Sequence, residues 1–310
     1  MTNILIRCRN IQIGDTLFAS SVAKKLKEEN PNCVVHYDIS FLQPIELMMD
    51  NPYIDGVFYK ESADIQYDVV YNLIDTDFVI DPYISAVSQL QRLCNIKNFD
   101  DTFEIYTNPH LDYSIKKSIQ ELKNINELED DVILVGYQVD WERKSYLFTE
   151  DEYEKAEGAE DGSGYGSGKR NIYDIINPLE VNSDVLLLAL GIEEKISKHY
   201  PEINSTNKFS FTASLIKNCD YVIGAEGCIT NMSSAIGTKT IITTDYIHQM
   251  FGPKGINWLK QGRDFSNLEK RTPFLGPNVY FPNKGHVHLN PYLTDYEVGE
   301  EILEIVTNGR

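Results

Sequence analysis

Two segments of this chain put reactive side chains where a strand would hand over to a helix. The first is Arg9-Asn-Ile-Gln-Ile-Gly-Asp15, which follows an apolar run at Asn3–Cys8. Gly14 lets the backbone turn tightly, and a carboxylate at Asp15 can take a proton from a hydroxyl as a general base. The same position suits a plain helix cap, because Asp is among the commonest capping residues. The second segment is Val222-Ile-Gly-Ala-Glu-Gly-Cys-Ile-Thr-Asn-Met-Ser-Ser-Ala-Ile-Gly-Thr238. It reads as a strand, a tight turn and a helix of small residues. Small side chains let the amides around Gly227, Cys228 and Ile229 approach a diphosphate, and the helix dipole favours its negative charge. Glu226, beside those amides, can bind ribose or sugar hydroxyls. The competing reading is a closely packed crossover whose Gly and Ser residues serve packing alone.

The elements that must position these groups alternate between strand and helix, the pattern of α/β proteins with parallel sheets. Strands are expected at Asn3–Cys8, Cys33–Tyr37, Gly56–Tyr59 and Tyr67–Leu73, with helices at Asp15–Glu29, Gln43–Met49, Tyr83–Leu93 and Leu111–Leu122. A second series begins with a strand at Val132–Tyr137. It continues through a helix start at Glu150–Glu157, a strand at Val185–Leu190, a helix at Phe211–Asn218, a strand at Tyr221–Gly224, a helix at Thr230–Ile236 and a strand at Thr240–Thr243. It closes with a helix at Tyr296–Val306. The polar stretch Asn124–Asp130 separates the two series, so the expected domains are 1–128 and 129–310. Within the second, the Gly- and Ser-rich segment about 157–170 reads as a flexible surface loop. It mimics a phosphate-binding G-x-x-x-x-G-K-[ST] loop but has Ser163 for the first glycine and Arg170 for the hydroxyl residue.

Composition narrows the classes further. With 310 residues, 42% of them hydrophobic, the chain can fill two cores. No apolar run reaches the roughly 20 residues of a spanning helix, and the first residues lack the features of a signal peptide, so a cytoplasmic protein with no integral membrane segment is expected. The five cysteines form no C-x-x-C pair, which argues against a zinc site or a disulfide framework. A formal charge of −19 opposes general attraction to nucleic acid or anionic lipid. The segment 251–290 departs from this balance, with Lys254, Lys260, Arg263, Lys270, Arg271 and Lys284 against Asp264 and Glu269, and with six aromatic residues interleaved. No G-x-G-x-x-G follows the first strand, which weighs against a nicotinamide dehydrogenase.

The stretch Tyr221–Thr238 resembles the signature of glycosyltransferase family nine, the ADP-heptose:lipopolysaccharide heptosyltransferases. That signature is a strand, Gly, one residue, Asp-x-Gly-x-x-His, then small residues closing in Leu-Gly-Thr. Aligned without a gap, Glu226 takes the Asp position, Cys228 the second Gly and Asn231 the His, while Ala235-Ile236-Gly237-Thr238 keeps the closing pattern. Ile13-Gly14-Asp15-Thr16-Leu17 is similar to the family's Leu-Gly-Asp-hydrophobic-Leu segment, where the Asp is the proposed base. Asn51-Pro52-Tyr53-Ile54-Asp55 resembles its Asn-Pro-x-Val-Asp segment. Asp140-Trp141-Glu142-Arg143-Lys144 resembles its Ser-Lys-Arg-Trp loop, whose lysine contacts donor phosphates.

The resemblance implies a GT-B fold, in which two Rossmann-like domains face each other across a cleft and the C-terminal helix crosses back. It implies metal-independent, inverting transfer of a sugar from a nucleotide-diphosphate sugar to an acceptor hydroxyl, by resemblance on a saccharide or lipopolysaccharide. The nucleotide sugar is a co-substrate and no cofactor is required. Asp15 is then the base. Arg143, Lys144, Glu226, Gly227, Cys228, Ile229, Thr230 and Asn231 hold the donor, and Gly14 and Arg9 belong to the acceptor-side loop. Glu226 and Asn231, in place of the signature's Asp and His, both depart from it at the donor or sugar end of the site. Two other readings compete. A phage enzyme glycosylating hydroxymethylated pyrimidines in DNA would use the basic aromatic segment 251–290. A non-catalytic nucleotide-sugar-binding protein would explain the changes at Glu226 and Asn231.

Overall fold

A computed structural model describes residues 1–11, 13–59, 65–74, 86–100, 103–138, 172–191, 209–224, 228–242, 279–280 and 295–309. They form two compact units, and the chain passes from the first to the second between Tyr113 and Ser114. The expected helix start at Glu150–Glu157, the Gly- and Ser-rich loop and nearly all of the basic aromatic segment lie outside the described residues.

The first unit is built on a parallel sheet of order β3-β2-β1-β4. Its strands are β1 Thr2–Asn10, β2 Cys33–Ile39, β3 Gly56–Tyr59 and β4 Val69–Ile74. Leu5, Ile6 and Cys8 are fully buried, so β1 is covered on both faces, as a central parallel strand must be. The single helix expected over Asp15–Glu29 is two helices, α1 Ile13–Ala19 and α2 Ser21–Glu29. Ser20 breaks them apart: its amide and its hydroxyl both donate to the Leu17 carbonyl, at 3.0 and 2.6 Å, which tightens the turn. Helices α3 Ile45–Met49, α4 Ala86–Leu93 and the start of α5 Pro109–Ile125 complete the unit.

The second unit has a parallel sheet of order β6-β5-β7-β8-β9, with β5 Ile133–Gln138, β6 Val185–Leu190, β7 Tyr221–Gly224, β8 Lys239–Ile242 and β9 Val279–Tyr280. Every residue of β5, β6 and β7 is buried. Its helices are α6 Ile172–Glu180, α7 Phe209–Lys217, α8 Cys228–Ile236 and α9 Asp295–Asn308, and the first turns of α7 group with the first unit. The sequence pattern gave no sign of α6, because Pro178 stands inside it. The helix holds through packing: Ile175, Ile176 and Leu179 are fully buried against β5 and β6. The closing helix α9 buries Val298, Ile302 and Val306 in this same core. Gly299 makes the approach of α9 to α6 possible, since a Cβ there would lie 2.1 Å from the Ile175 carbonyl oxygen.

Among the described residues no helix is long and apolar enough to cross a membrane. All five cysteines are free thiols. Burial pushes the Cys219 thiol up to about 12 and raises those of Cys8 and Cys94, so these three are packing groups and not nucleophiles.

Candidate functional site

In open parallel sheets a ligand crevice forms at the carboxyl ends of the strands, where successive connections leave in opposite directions. In the first unit that point lies between β1 and β4, because β2 and β3 continue on one side of β1 and β4 returns on the other. Gly14 and Asp15 sit just beyond the carboxyl end of β1, in the first turn of α1. Since α1 begins at Ile13, Asp15 is inside the helix and not at the cap position the sequence pattern favoured. Asp15 is partly exposed, while Thr16 and Leu17 behind it are buried, so the core anchors the turn that carries the carboxylate.

The end of β1 is irregular. Arg7 pairs with Asn72 and Asn10 with Ile74, so three steps on β1 match two on β4. The extra residue is a bulge, a device that re-aims side chains next to functional sites. Arg9 lies in this bulge. Its Nη2 is 2.6 Å from Oδ2 of Asp38, a residue with no exposed side-chain surface, and Arg7 Nε is 3.8 Å from the same oxygen. The ion pair with Asp38 raises the pKa of the Arg9 guanidinium, against a smaller opposing effect of burial. Ser40 Oγ also donates to the Arg9 carbonyl, at 2.7 Å. Asp38 and Ser40 were not among the sequence candidates. The available signal was a lone carboxylate closing the apolar run Cys33–Tyr37.

In the second unit the corresponding point lies between β5 and β7, because β6 flanks β5 on one side and β7 on the other. Cys228, Ile229, Thr230 and Asn231 form the first turn of α8, whose first residue follows the end of β7 at Gly224 by four positions. Cys228 is half-buried and the other three are buried. Asn231 is 4% exposed, and its Oδ1 has no hydrogen-bond partner among the described residues. A buried acceptor left unmatched costs about 1–3 kcal/mol. Glu226 and Gly227, like Arg143 and Lys144, lie outside the described residues.

Other parts of the matched motifs serve the fold. Asp55 Oδ2 accepts from the Val35 amide and from Lys27 Nζ, each at 2.7 Å, tying the turn before β3 to β2 and α2. Asn51 Oδ1 caps its own turn by accepting from the Tyr53 amide at 3.0 Å. Gly237 ends α8 with φ +95°, and the amides of Gly237 and Thr238 both donate to the Ser233 carbonyl at 3.1 Å. Thr240 Oγ1 donates to Ser233 Oγ at 2.8 Å, so the small residues of α8 also do the packing work that the competing reading assigned to them. Among the described residues no group of three or more His, Cys, Asp or Glu side chains could hold a metal ion.

No family model and no curated protein matches the sequence. Solved structures do match the fold along the whole chain. An E. coli ADP-heptose LPS heptosyltransferase II aligns with a TM-score of 0.58 at 11% identity, over 100% of this chain and 99% of that one. A glycosyltransferase of family 9 from Veillonella parvula aligns with a TM-score of 0.57 at 14% identity, over 99% and 98%. The iron-containing dodecameric glycosyltransferase TibC from enterotoxigenic E. coli aligns with a TM-score of 0.55 at 10% identity, over 97% of this chain and 78% of that one. The fold of this chain is therefore similar to that of heptosyltransferases and of a family 9 glycosyltransferase, the group whose motifs its sequence resembles.

Proposed function

We propose that the chain is an inverting glycosyltransferase of the GT-B kind, with an acceptor-side domain at 1–128 and a nucleotide-sugar domain at 129–310. The observation that carries this reading is the position of Gly14-Asp15 and of Cys228–Asn231. Each lies at the carboxyl end of the strand beside its sheet's switch point, in a fold that full-length heptosyltransferase structures share. A related TibC structure is described as a heptosyltransferase in complex with ADP-D-beta-D-heptose, which supports a nucleotide-diphosphate sugar as the donor class.

In this reaction Asp15 takes the proton of the acceptor hydroxyl. The hydroxyl oxygen attacks the anomeric carbon from the face opposite the diphosphate. The bond from that carbon to the diphosphate oxygen breaks, and its electron pair leaves with the diphosphate. The amides of Gly227, Cys228 and Ile229, with Lys144 or Arg143, stabilise the departing charge. Glu226 binds sugar or ribose hydroxyls, and Asn231 Oδ1 accepts from the donor, which gives that buried acceptor its missing partner. The acceptor is a saccharide, and the reaction needs no divalent metal because cationic side chains and amides hold the diphosphate. The iron of TibC belongs to the description of that protein.

A panel of nucleotide sugars, assayed for hydrolysis without acceptor and for transfer to saccharides, tests the reading. Turnover of at least one donor, undiminished by EDTA and with inversion at the anomeric centre, is the expected result. Binding without turnover of any donor would leave a nucleotide-sugar-binding protein, and loss of turnover with EDTA would remove the metal-free mechanism.

A further inference from the structure

Asp38 is costly where it stands. A carboxylate without exposed surface loses its hydration, and a well-packed apolar residue in its place is often neutral or stabilising. It sits at the carboxyl end of β2, opposite Arg7 in the register, in a strand whose neighbours Tyr37 and Ile39 are fully buried. Its partner Arg9 has a 43% exposed side chain, in a bulge at the carboxyl end of β1. The two arginines differ in their approach: Arg9 meets Oδ2 at 2.6 Å and Arg7 only at 3.8 Å. A second, independent restraint acts on the same residue, since Ser40 Oγ holds the Arg9 carbonyl at 2.7 Å. Residues from the end of β2 thus hold Arg9 by both its backbone and its guanidinium. Ordering a long exposed side chain in this way is needless for packing. It matters where a cation must stand at a fixed place before its ligand arrives.

We infer that Asp38 is a positioning residue, which acts through Arg9 by fixing its guanidinium at the acceptor-side end of β1. The inference rests on the transferase reading for what Arg9 serves, namely orientation of the acceptor toward Asp15. The fixing of Arg9 itself is a property of the ion pair and is measurable without any substrate. The planar guanidinium fork of Arg9 is held in orientation by a carboxylate in a way that a lysine ammonium, a point charge on a flexible stem, is not.

Two measurements test it together. Side-chain ¹H–¹⁵N spectra, with Arg9 assigned by its loss in R9A, report rotation about its Nε–Cζ bond. Resolved Nη signals are expected in the wild type, averaged in D38N. Averaged signals in the wild type would overturn the positioning role. In the kinetic arm, a donor from the panel and a saccharide acceptor are used with R9A, D38N and the double variant. Each single change should lower kcat/KM for the acceptor by about tenfold or more, and the double variant should stay within about twofold of R9A, because the two residues act as one unit. Losses that multiply, accompanied by a lower Tm, would show Asp38 to be merely structural. Should D38N not fold, R9K decides the point: it keeps the charge but not the fork, so it should lose as much as R9A, and full activity would overturn the inference. A wild type that turns over no donor would sink the transferase reading, while the spectra still decide whether Asp38 fixes Arg9.

Discussion

Gly224, the last residue of β7, lies directly against Gln138, the last residue of β5. A methyl group on Gly224 would stand 2.9 Å from Gln138 Oε1 and 2.7 Å from Thr230 Cγ2. The carboxyl ends of the two switch-point strands and the first turn of α8 therefore meet with no room to spare. Gly224→Ala should displace Thr230 and the start of α8. Overpacking of this kind costs about 1–3 kcal/mol, read as a lower Tm. Donor KM should rise with it, since the displaced turn is the proposed diphosphate site. A variant with lowered Tm and unchanged donor KM would separate this turn from the donor.

Asp15 offers the sharpest test of mechanism. A positioned general base contributes about 10²–10⁴-fold, so Asp15→Asn should lower kcat by that factor. Its amide matches the carboxylate in shape and leaves the first turn of α1 intact, so donor binding by calorimetry should be nearly unchanged. Near-full activity would remove Asp15 from the reaction.

Asn231 predicts a trade between stability and binding. Its Oδ1 is buried without a partner among the described residues. Asn231→Leu is close in shape and removes the unmatched group, so stability should hold or rise by about 1 kcal/mol. Loss of a hydrogen bond to the bound donor should weaken donor affinity about tenfold, a typical worth for one such bond. If urea denaturation shows a less stable variant, Asn231 is a structural residue and its role at the donor fails.

His36 makes stability depend on pH. Burial lowers its pKa, with the charge on Lys27 acting in the same direction and Asp55 opposing both. Its Nδ1 lies 3.1 Å from the Tyr67 hydroxyl, and its ring packs edge-on to Phe58. In the unfolded chain a histidine takes up its proton near pH 6.5, as roughly expected of a free imidazole. The folded state resists that proton until a lower pH, so the unfolded state binds more protons in the interval and gains on the native state. Unfolding free energy should therefore fall as pH drops below about 6.5. His36→Phe should flatten this slope between about pH 5 and 7, and an unchanged slope would assign it to other groups.

Much of the architecture was legible in the sequence, because the alternation of apolar strands and amphipathic helices follows from local residue order. Val185–Leu190 and Tyr221–Gly224 were bounded correctly as strands, since buried parallel strands are continuous apolar runs between turn residues, and so was the half-exposed edge strand Gly56–Tyr59. The strand-to-helix order around Gly14-Asp15 and Cys228–Asn231 was also legible, but Gly14 makes no tight turn: it lies inside α1, without a positive φ and with open space where a Cβ would stand. Other features depend on partners distant in the chain. Helix α6 contains Pro178 and gains its stability from Ile175, Ile176 and Leu179 packing in the core, which local propensity cannot register. The split of α1 from α2 depends on the Ser20 hydroxyl finding the Leu17 carbonyl. Asp38 looked like the polar end of a strand. Only the pairing of β1 with β2, and the bulge against β4, bring its carboxylate to Arg9. The sequence by itself determined the strands of both sheets except the two-residue β9, because those choices are made between neighbours a few residues apart. The tertiary structure alone decided which charge stands beside which, because a buried ion pair forms only where sheet register places both side chains on the same edge.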